Sequence, residues 1–438
     1  MKRHHVRKFG YIHPPTSKSA ADQVSKLAPI PERVVLPLAQ HIGKPARLLV
    51  EPGDEVRVGE RIAEADGFIS AHLHASISGV VQPLVTLLSP TSGMPVQGVV
   101  IESDGKDQWL EFVPDVDEPF SRKDVIGRIQ DAGIVGLGGA AFPTHAKVDR
   151  PEGERIHTLL INGAECEPFI TSDDRLMIED SARIVQGARI LAELLQVDRI
   201  AFCVEENKPL AIAAMRTACD ELGLNAEVVS LPSRYPMGAE KTLIHYMLGI
   251  EISPGSFPTD VGVVVQNIAT AAAIADAVLR GQPMIQRVVT VAGSVRSPSN
   301  LIARVGTPAC ALIAACGGAL PGSDRLLFGG PMMGIAQASW NAPTLKSTNC
   351  ILLLDAPQRI ERNCIRCARC IERCPMGLMP QRFVELVKAD QTDELDACHL
   401  LNCVECGACA YDCPAAIPIV SYIKIGKARV RSLARGGK

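Results

Sequence analysis

Aromatic side chains are scarce. Only 4% of the 438 residues are Phe, Trp or Tyr, which leaves few platforms on which nucleic-acid bases could stack. An excess of one charge is also lacking: 45 Lys and Arg face 48 Asp and Glu, a net charge of −3, so no global field favours a polyanion. Long apolar runs are missing as well. The most apolar window, 261–279, contains Gln266, Asn267, Thr270 and Asp276, too many polar groups for a lipid-exposed helix. The N-terminal stretch MKRHHVRKFGYIHPP is basic but has no apolar core, so it does not read as a secretory leader. What remains is a chain 47% apolar and 21% charged, which excludes wholesale disorder. Its length suggests about three domains, and the whole reads as a soluble cytoplasmic protein.

Cysteine is abundant and unevenly placed. Nine of the 15 cysteines fall between Cys364 and Cys413. Cys364, Cys367, Cys370 and Cys374 precede Pro375; Cys403, Cys406, Cys409 and Cys413 precede Pro414. Each run is C-x2-C-x2-C-x3-C-P, the bacterial ferredoxin spacing, in which the fourth cysteine ligates the other cluster. A cysteine at every third residue of a short loop wraps three thiolates around one cubane, and the fourth then crosses to the neighbour. The expected ligand sets are therefore Cys364, Cys367, Cys370 and Cys413 for one [4Fe–4S] cluster, and Cys403, Cys406, Cys409 and Cys374 for the other. Zinc, the alternative, prefers two separated C-x2-C pairs. Cys350 and Cys398 lie outside the spacing and are expected as small buried hydrophobes.

From 121 to 280, β-branched runs alternate with amphipathic stretches. Strands are expected at 157–162, 200–204 and 227–231; helices at 182–197, 209–222 and 238–249, the first with Ile184, Ala188, Leu191 and Leu195 on one face. That alternation predicts a mainly parallel sheet with ligands at the C-terminal ends of its strands. Three elements fall at that edge. The glycine-rich stretch Gly133–Thr144 contains a loose G-x-G-x-x-A, but DVIGRIQDA before it reads as a helix, so the dinucleotide fingerprint is rejected. Its glycines still permit close backbone approach to a phosphate or flavin ring, or form a plain surface turn. The second is Asn162-Gly-Ala-Glu165-Cys-Glu167, whose alternative role is a polar turn. The third is Tyr235-Pro-Met-Gly238-Ala-Glu240-Lys241, opening a helix. Gln266, Asn267 and Thr270 follow the VGVVV run in the same manner.

GLGGAAFPTHAK resembles the flavin loop of the NADH-oxidising flavoprotein subunit of respiratory complex I, and INGAECEP, YPMGAEKTL and VVVQNIAT resemble that family's later binding segments. With the cysteine runs downstream, the order over nearly the whole chain resembles the C subunits of Rnf-type membrane electron-transport complexes. The resemblance implies a multidomain α/β protein: a barrel-sandwich module (1–115), a Rossmann-like flavin domain (116–282), a β-grasp module (283–348) and a helical two-cluster ferredoxin domain (349–438). It also implies that Gly136, Gly138, Gly139 and Lys147 cradle FMN, that Asn162, Gly238, Asn267 and Thr270 complete that site, with Glu165 beside it, and that Phe142, Glu167 and Glu240 face NADH. Ala141, Ala164 and Ala239 depart from the complex I pattern, which weakens the inference to NAD(H). The implied activity passes electrons between NADH and ferredoxin or partner subunits through FMN and two [4Fe–4S] clusters, coupled to ion transport, on the cytoplasmic face of the inner membrane. The alternatives are a non-enzymatic wiring subunit with a degenerate nucleotide site and a soluble flavin and iron–sulfur reductase.

The stretch 46–81 resembles half of a biotinyl or lipoyl carrier barrel, yet Ala63–Ser78 contains no lysine for attachment, so a packing module is expected. His72 and His74 alternate as metal ligands would, but without partners they read as residues of a solvated strand. The basic tail carrying Lys424, Lys427, Arg429, Arg431, Arg435 and Lys438 reads either as a frayed helix or as a contact for anionic lipid or partner subunits.

Overall fold

The computed structural model describes residues 10–112, 120–151, 153–355 and 360–436. The basic residues 1–9, Lys438 and the side chain of Arg435 lie outside the described set. Residues 10–27 form a strap. Ile12 pairs with Tyr235, the Lys18 ammonium donates to the carbonyls of Glu165 (2.8 Å), Glu167 (2.9 Å) and Ile170 (2.5 Å), and β1 (Lys26–Leu27) pairs with a strand near residue 301.

The N-terminal module follows. Strands β2 (Arg33–Pro37), β3 (Arg47–Leu48), β4 (Glu55–Val56), β5 (Arg61–Glu64), β6 (Leu73–His74), β7 (Gly79–Leu88) and β8 (Pro95–Ser103) form two antiparallel sheets, ordered β2-β8-β7-β4 and β3-β5-β6. Val34, Leu36, Ile62, Leu73, Ile77, Val99 and Ile101 fill the space between them, the inward half of a period-2 pattern. The solvated reading of the two histidines is overturned: His72 and His74 are each 7% exposed. Burial pushes His72 down to about 4 and His74 well below its ordinary value, so both are neutral core residues.

The α/β region holds the site. Its strands β9 (Thr158–Gly163), β10 (Arg199–Glu205), β11 (Glu227–Leu231) and β12 (Val263–Asn267) are all parallel and ordered β11-β10-β9-β12. Helices α1 (Arg122–Asp131), α2 (Thr144–Val148), α3 (Ser172–Glu179), α4 (Ser181–Leu195), α5 (Pro209–Glu221), α6 (Glu240–Leu248) and α7 (Ile268–Arg280) surround this sheet. Both faces of the sheet are covered by apolar clusters, which explains why β9 and β10 read as continuous rather than alternating apolar runs. The order reverses between β9 and β12, and an open parallel sheet has its binding crevice at such a reversal.

The fourth sheet runs β1-β14-β13-β17-β15-β16, built from β13 (Gln286–Gly293), β14 (Ser299–Arg304), β15 (Ser323–Phe328), β16 (Ile335–Ala336) and β17 (Cys350–Asp355), with α8 (Ala309–Ala315) packed on it. The expected boundary after residue 348 cuts this sheet. Strand β17 pairs in parallel with β13 and antiparallel with β15, so the module closes at Asp355. Cys350 is fully buried there.

The cysteine runs form two matching loop–helix turns. The first leads to α9 (Arg369–Glu372) and α10 (Pro380–Lys388); the second, after α11 (Thr392–Ala397), leads to α12 (Ala408–Tyr411) and α13 (Ile419–Gly436). Arg366 and Ala368 adopt left-handed backbone in the first loop, and Glu405 and Gly407 do so at the matching positions of the second. The described part of the basic tail is helical and packed, with Lys424 and Arg431 left exposed. Helix α13 packs through Ile423 and Val430 into the core with Phe383 and Leu395, Arg429 donates to the Val387 carbonyl and Lys427 to that of Cys403. No helix among the described residues is long and apolar enough to cross a membrane.

Candidate functional site

The C-terminal edge of β9 and β12 collects the glycine loop, the Asn162 turn and the Tyr235 turn. The glycine loop is closed by Gly136 N–H donating to the Phe142 carbonyl (2.8 Å) and Ala141 N–H donating to that of Gly136 (3.1 Å), with half-buried Phe142 at its base. Its floor is fixed by Leu137 N–H donating to the buried Thr270 hydroxyl (2.9 Å). Its tip, Gly138-Gly139-Ala140, is exposed. A Cβ at Gly138 would lie 3.4 Å from Asn267, and at Gly139 it would meet nothing. The tip therefore offers bare backbone to a ligand lying over it.

Around that loop, each polar side chain is positioned by main chain. Lys147, on α2, places its ammonium 2.6 Å from the Val265 carbonyl and 2.9 Å from Glu240 Oε1, which sets a cation at the end of β12. Asn162 donates to the Gly238 carbonyl (2.9 Å) and accepts from Ala164 N–H (3.1 Å), tying two turns together. Gly238 is obligatory, because a Cβ there would fall 2.3 Å from the Ala164 carbonyl oxygen. Asn267 caps α7, accepting from Ala269 N–H (2.9 Å), and donates to Asp173 (2.6 Å). Two buried polar atoms here, Gln266 Nε2 and Thr144 Oγ1, have no partner among the described residues. Open glycine backbone, a positioned lysine and unpartnered polar atoms suit a phosphorylated, hydrogen-bonding ring system such as FMN.

Glu165 and Glu167 point elsewhere. Glu165 accepts from Lys208 (2.7 Å), Ser172 (3.2 Å) and Asp173 N–H (2.8 Å). Burial alone would raise its carboxyl, but Lys208 and Lys18 hold it below its ordinary value. Glu167 accepts from the N–H groups of Met332 (3.1 Å) and Met333 (2.8 Å), clamping the loop after β15. Burial pushes its carboxyl up to about 7 against those two bonds.

The Met332 loop leads to the second cysteine run. A Cβ on Gly407 would sit 2.6 Å from the Met332 carbonyl oxygen, and Tyr235, 1% exposed, donates its hydroxyl to the Cys406 carbonyl (2.5 Å). One small cavity is lined by Cys374, Cys403, Cys406 and Cys409 together with Leu378, Phe383, Val420 and Ile423. Four cysteines lining one apolar cavity suit a [4Fe–4S] cluster, and Cys374, from the opposite run, is the one crossed ligation would call on. The other set differs in exposure: Cys364 and Cys367 are exposed, Cys370 is half-buried, and Cys413 is buried.

Comparison with known proteins gives the same modules. Residues 7–106 match the RnfC barrel sandwich hybrid domain, 129–276 the Nuo51 FMN-binding domain, 288–336 the SLBB domain and 359–417 a 4Fe-4S dicluster domain. The C subunit of the proton-translocating ferredoxin:NAD(+) oxidoreductase complex of Clostridium ljungdahlii is 44% identical over 431 residues, covering 97% of this chain and 94% of the relative. The chain belongs to the C-subunit family of ion-translocating oxidoreductase complexes. Other members are the C subunits of Pseudomonas aeruginosa (44% over 411 residues, 92% of this chain and 53% of the relative) and Rhodobacter capsulatus (41% over 428 residues, 96% and 82%). A chain of an NAD+-reducing [NiFe]-hydrogenase in the H2-reduced state shares the fold at TM-score 0.53 and 17% identity, over 70% of this chain and 61% of its own.

In this member of the family, the structure brings together Gly136, Gly138, Gly139, Phe142, Lys147, Asn162, Gly238, Glu240, Asn267 and Thr270 at one edge. The Glu165 and Glu167 carboxylates are taken up by internal partners. Lys18, Lys208, Tyr235 and Lys427 also shape the site, and no local pattern marks them for that role. Of these only Tyr235 lies in a recognisable motif, and its hydroxyl's partner is 171 residues away.

Proposed function

We propose that this redox subunit passes electrons between NADH and partner subunits of its complex, on the cytoplasmic face of the membrane, with FMN at the β9–β12 edge. The observation that carries the reading is the direct connection from that edge to the buried cysteine set through Tyr235 and Cys406. When bound, FMN exchanges a hydride with the nicotinamide and releases electrons singly, which is chemistry the protein positions rather than performs.

In this reading the exposed glycine tip admits the flavin ring and Lys147 supplies positive charge for its phosphate. Glu240, half-exposed and paired with Lys147, faces the nucleotide side, and Phe142 borders it. Asn162 and Asn267 hold the two strand ends at fixed spacing. Glu165 and Glu167 act as positioning residues, the first for the Asn162 turn and the second for the loop against Cys406. The buried set receives electrons first and the exposed set passes them on. The barrel module and the β-grasp-like sheet serve as scaffolding in this arrangement.

Flavin bleaching by NADH in anaerobically reconstituted protein tests the reading. Rapid bleaching followed by cluster reduction is expected. Bound flavin that stays oxidised would instead make the chain a relay between other donors and acceptors.

A further inference from the structure

The loop around the exposed cysteine set differs in charge from its counterpart. In the buried set's loop the charged residues are paired: Glu405 with Lys427 at 2.6 Å and Asp412 with Arg373 at 2.8 Å. In the exposed set's loop, Arg362, Arg366 and Arg369 interleave with Cys364, Cys367 and Cys370. All three arginines are exposed, and none has an acidic partner among the described residues. The acids close by in sequence do not neutralise them, since Glu361 pairs with Lys388 (2.8 Å) and only exposed Glu372 remains.

Apolar side chains stand among these charges. Ile365 is 67% exposed and Ile360 80%. Unpaired arginines beside a thiolate-ligated cluster have one plain explanation, which is compensation of the cluster's negative charge. That explanation leaves the exposed isoleucines without a purpose. A basic rim around a small apolar centre is instead the composition of a transient protein–protein contact, in which Arg is enriched and charge complementarity sets encounter rate and register.

We infer that the 360–369 loop is the docking surface through which the exposed cluster meets an electron-transfer protein with an acidic face. The inference rests on the proposed relay and adds where the relay ends and what it meets. Arginine suits this contact because its planar guanidinium pairs two-pronged with carboxylates. Contacts of this class are small and screened by salt, so electrons leave through brief encounters.

The test uses the full chain with both clusters reconstituted and reduced chemically, so that NADH is not needed. A small acidic ferredoxin serves as probe. The Arg366→Glu/Arg369→Glu variant should keep its iron content, yet bind the probe about tenfold more weakly at low ionic strength and reduce it more slowly than any shift in cluster potential accounts for. Wild-type transfer should slow as salt rises, and the variant's should not. Unchanged binding with unchanged salt dependence would overturn the inference. So would a shifted cluster potential that accounts for the whole rate change, because the arginines would then be tuning the cluster. Loss of binding to anionic lipid vesicles with undiminished ferredoxin binding would overturn it in favour of a membrane contact. Failure of the flavin to bleach with NADH, by contrast, would sink the proposed donor and leave the docking result standing.

Discussion

Replacing Lys208 by Met removes the principal counter-charge of the site's foundation. The Lys208 ammonium lies 2.7 Å from Glu165 Oε2, and both side chains are at most 5% exposed. At an effective dielectric of about 20, that contact is worth roughly 6 kcal/mol before desolvation. Lys18, at 4.0 Å, still contributes about 4 kcal/mol by the same arithmetic. The net loss is therefore expected at the usual cost of breaking a buried pair, about 3–5 kcal/mol. For a unit the size of the α/β region this corresponds to a drop of roughly 6–20 °C in its melting transition.

The pH dependence supplies a second signature. In the native protein Glu165 is held below its ordinary value, so its contribution is present above that value and disappears on acidification. In the variant, Glu165 joins Asp174 and Glu205, whose carboxyls burial already raises. The native state then binds more protons than the unfolded one, and stability falls as pH rises through the raised values. Circular dichroism melts with limited proteolysis of the 120–280 region would follow both effects. The double variant Lys208→Met/Glu165→Gln should recover part of the loss, because no carboxylate is then left at position 165 without Lys208. A melt within a degree or two of wild type, flat from acid to neutral pH, would refute the electrostatic account.

Three further outcomes are expected. Gly238→Ala forces a methyl to within 2.3 Å of the Ala164 carbonyl oxygen, so the two turns must separate; FMN affinity by fluorescence quenching should fall at least tenfold, on the order of what ångström misplacement causes, with iron content unchanged. Lys427→Gln removes a cation that donates to the Cys403 carbonyl at 2.7 Å; redox titration should show one cluster at lower potential and the other unmoved. Burial holds the Lys346 ammonium down to about 7 from its ordinary 10.5, so the unfolded chain binds more protons between those values and wild-type stability should rise with pH across that window. Lys346→Met should abolish the rise in denaturant titrations.

The cysteine runs and the glycine loop were legible in the sequence because their chemistry is local: spacing sets a cubane's ligands, and consecutive glycines expose backbone. The α/β strands were legible for a similar reason, since covered strands such as β9 and β10 read as unbroken apolar runs. Position in space was not legible. Glu165 and Glu167 stand in the motif beside Asn162, and nothing nearby shows that Lys208 and the Met332 loop claim their carboxylates. His72 and His74 alternate as surface strand residues do, yet the 131–133 turn and Lys346, distant in sequence, pack against that strand. Strand β17 looked like a lead-in to the first cysteine run because parallel pairing with β13 has no local mark. The basic tail looked unattached because carbonyls, which leave no trace in composition, receive Lys427 and Arg429.

The 10–27 strap has a consequence for synthesis. Its partners, the 165–170 turn, Tyr235 and strand β14, emerge from the ribosome long after residues 10–27 do. Domains generally fold in the order they are made, but the 10–27 strap has its full set of partners only once strand β14 has been made. Until β14 is complete, strand β1 has no strand to pair with. The 10–27 strap thus stitches the α/β region to the sheet beyond it, and a deletion of those residues made to trim the barrel would instead loosen both.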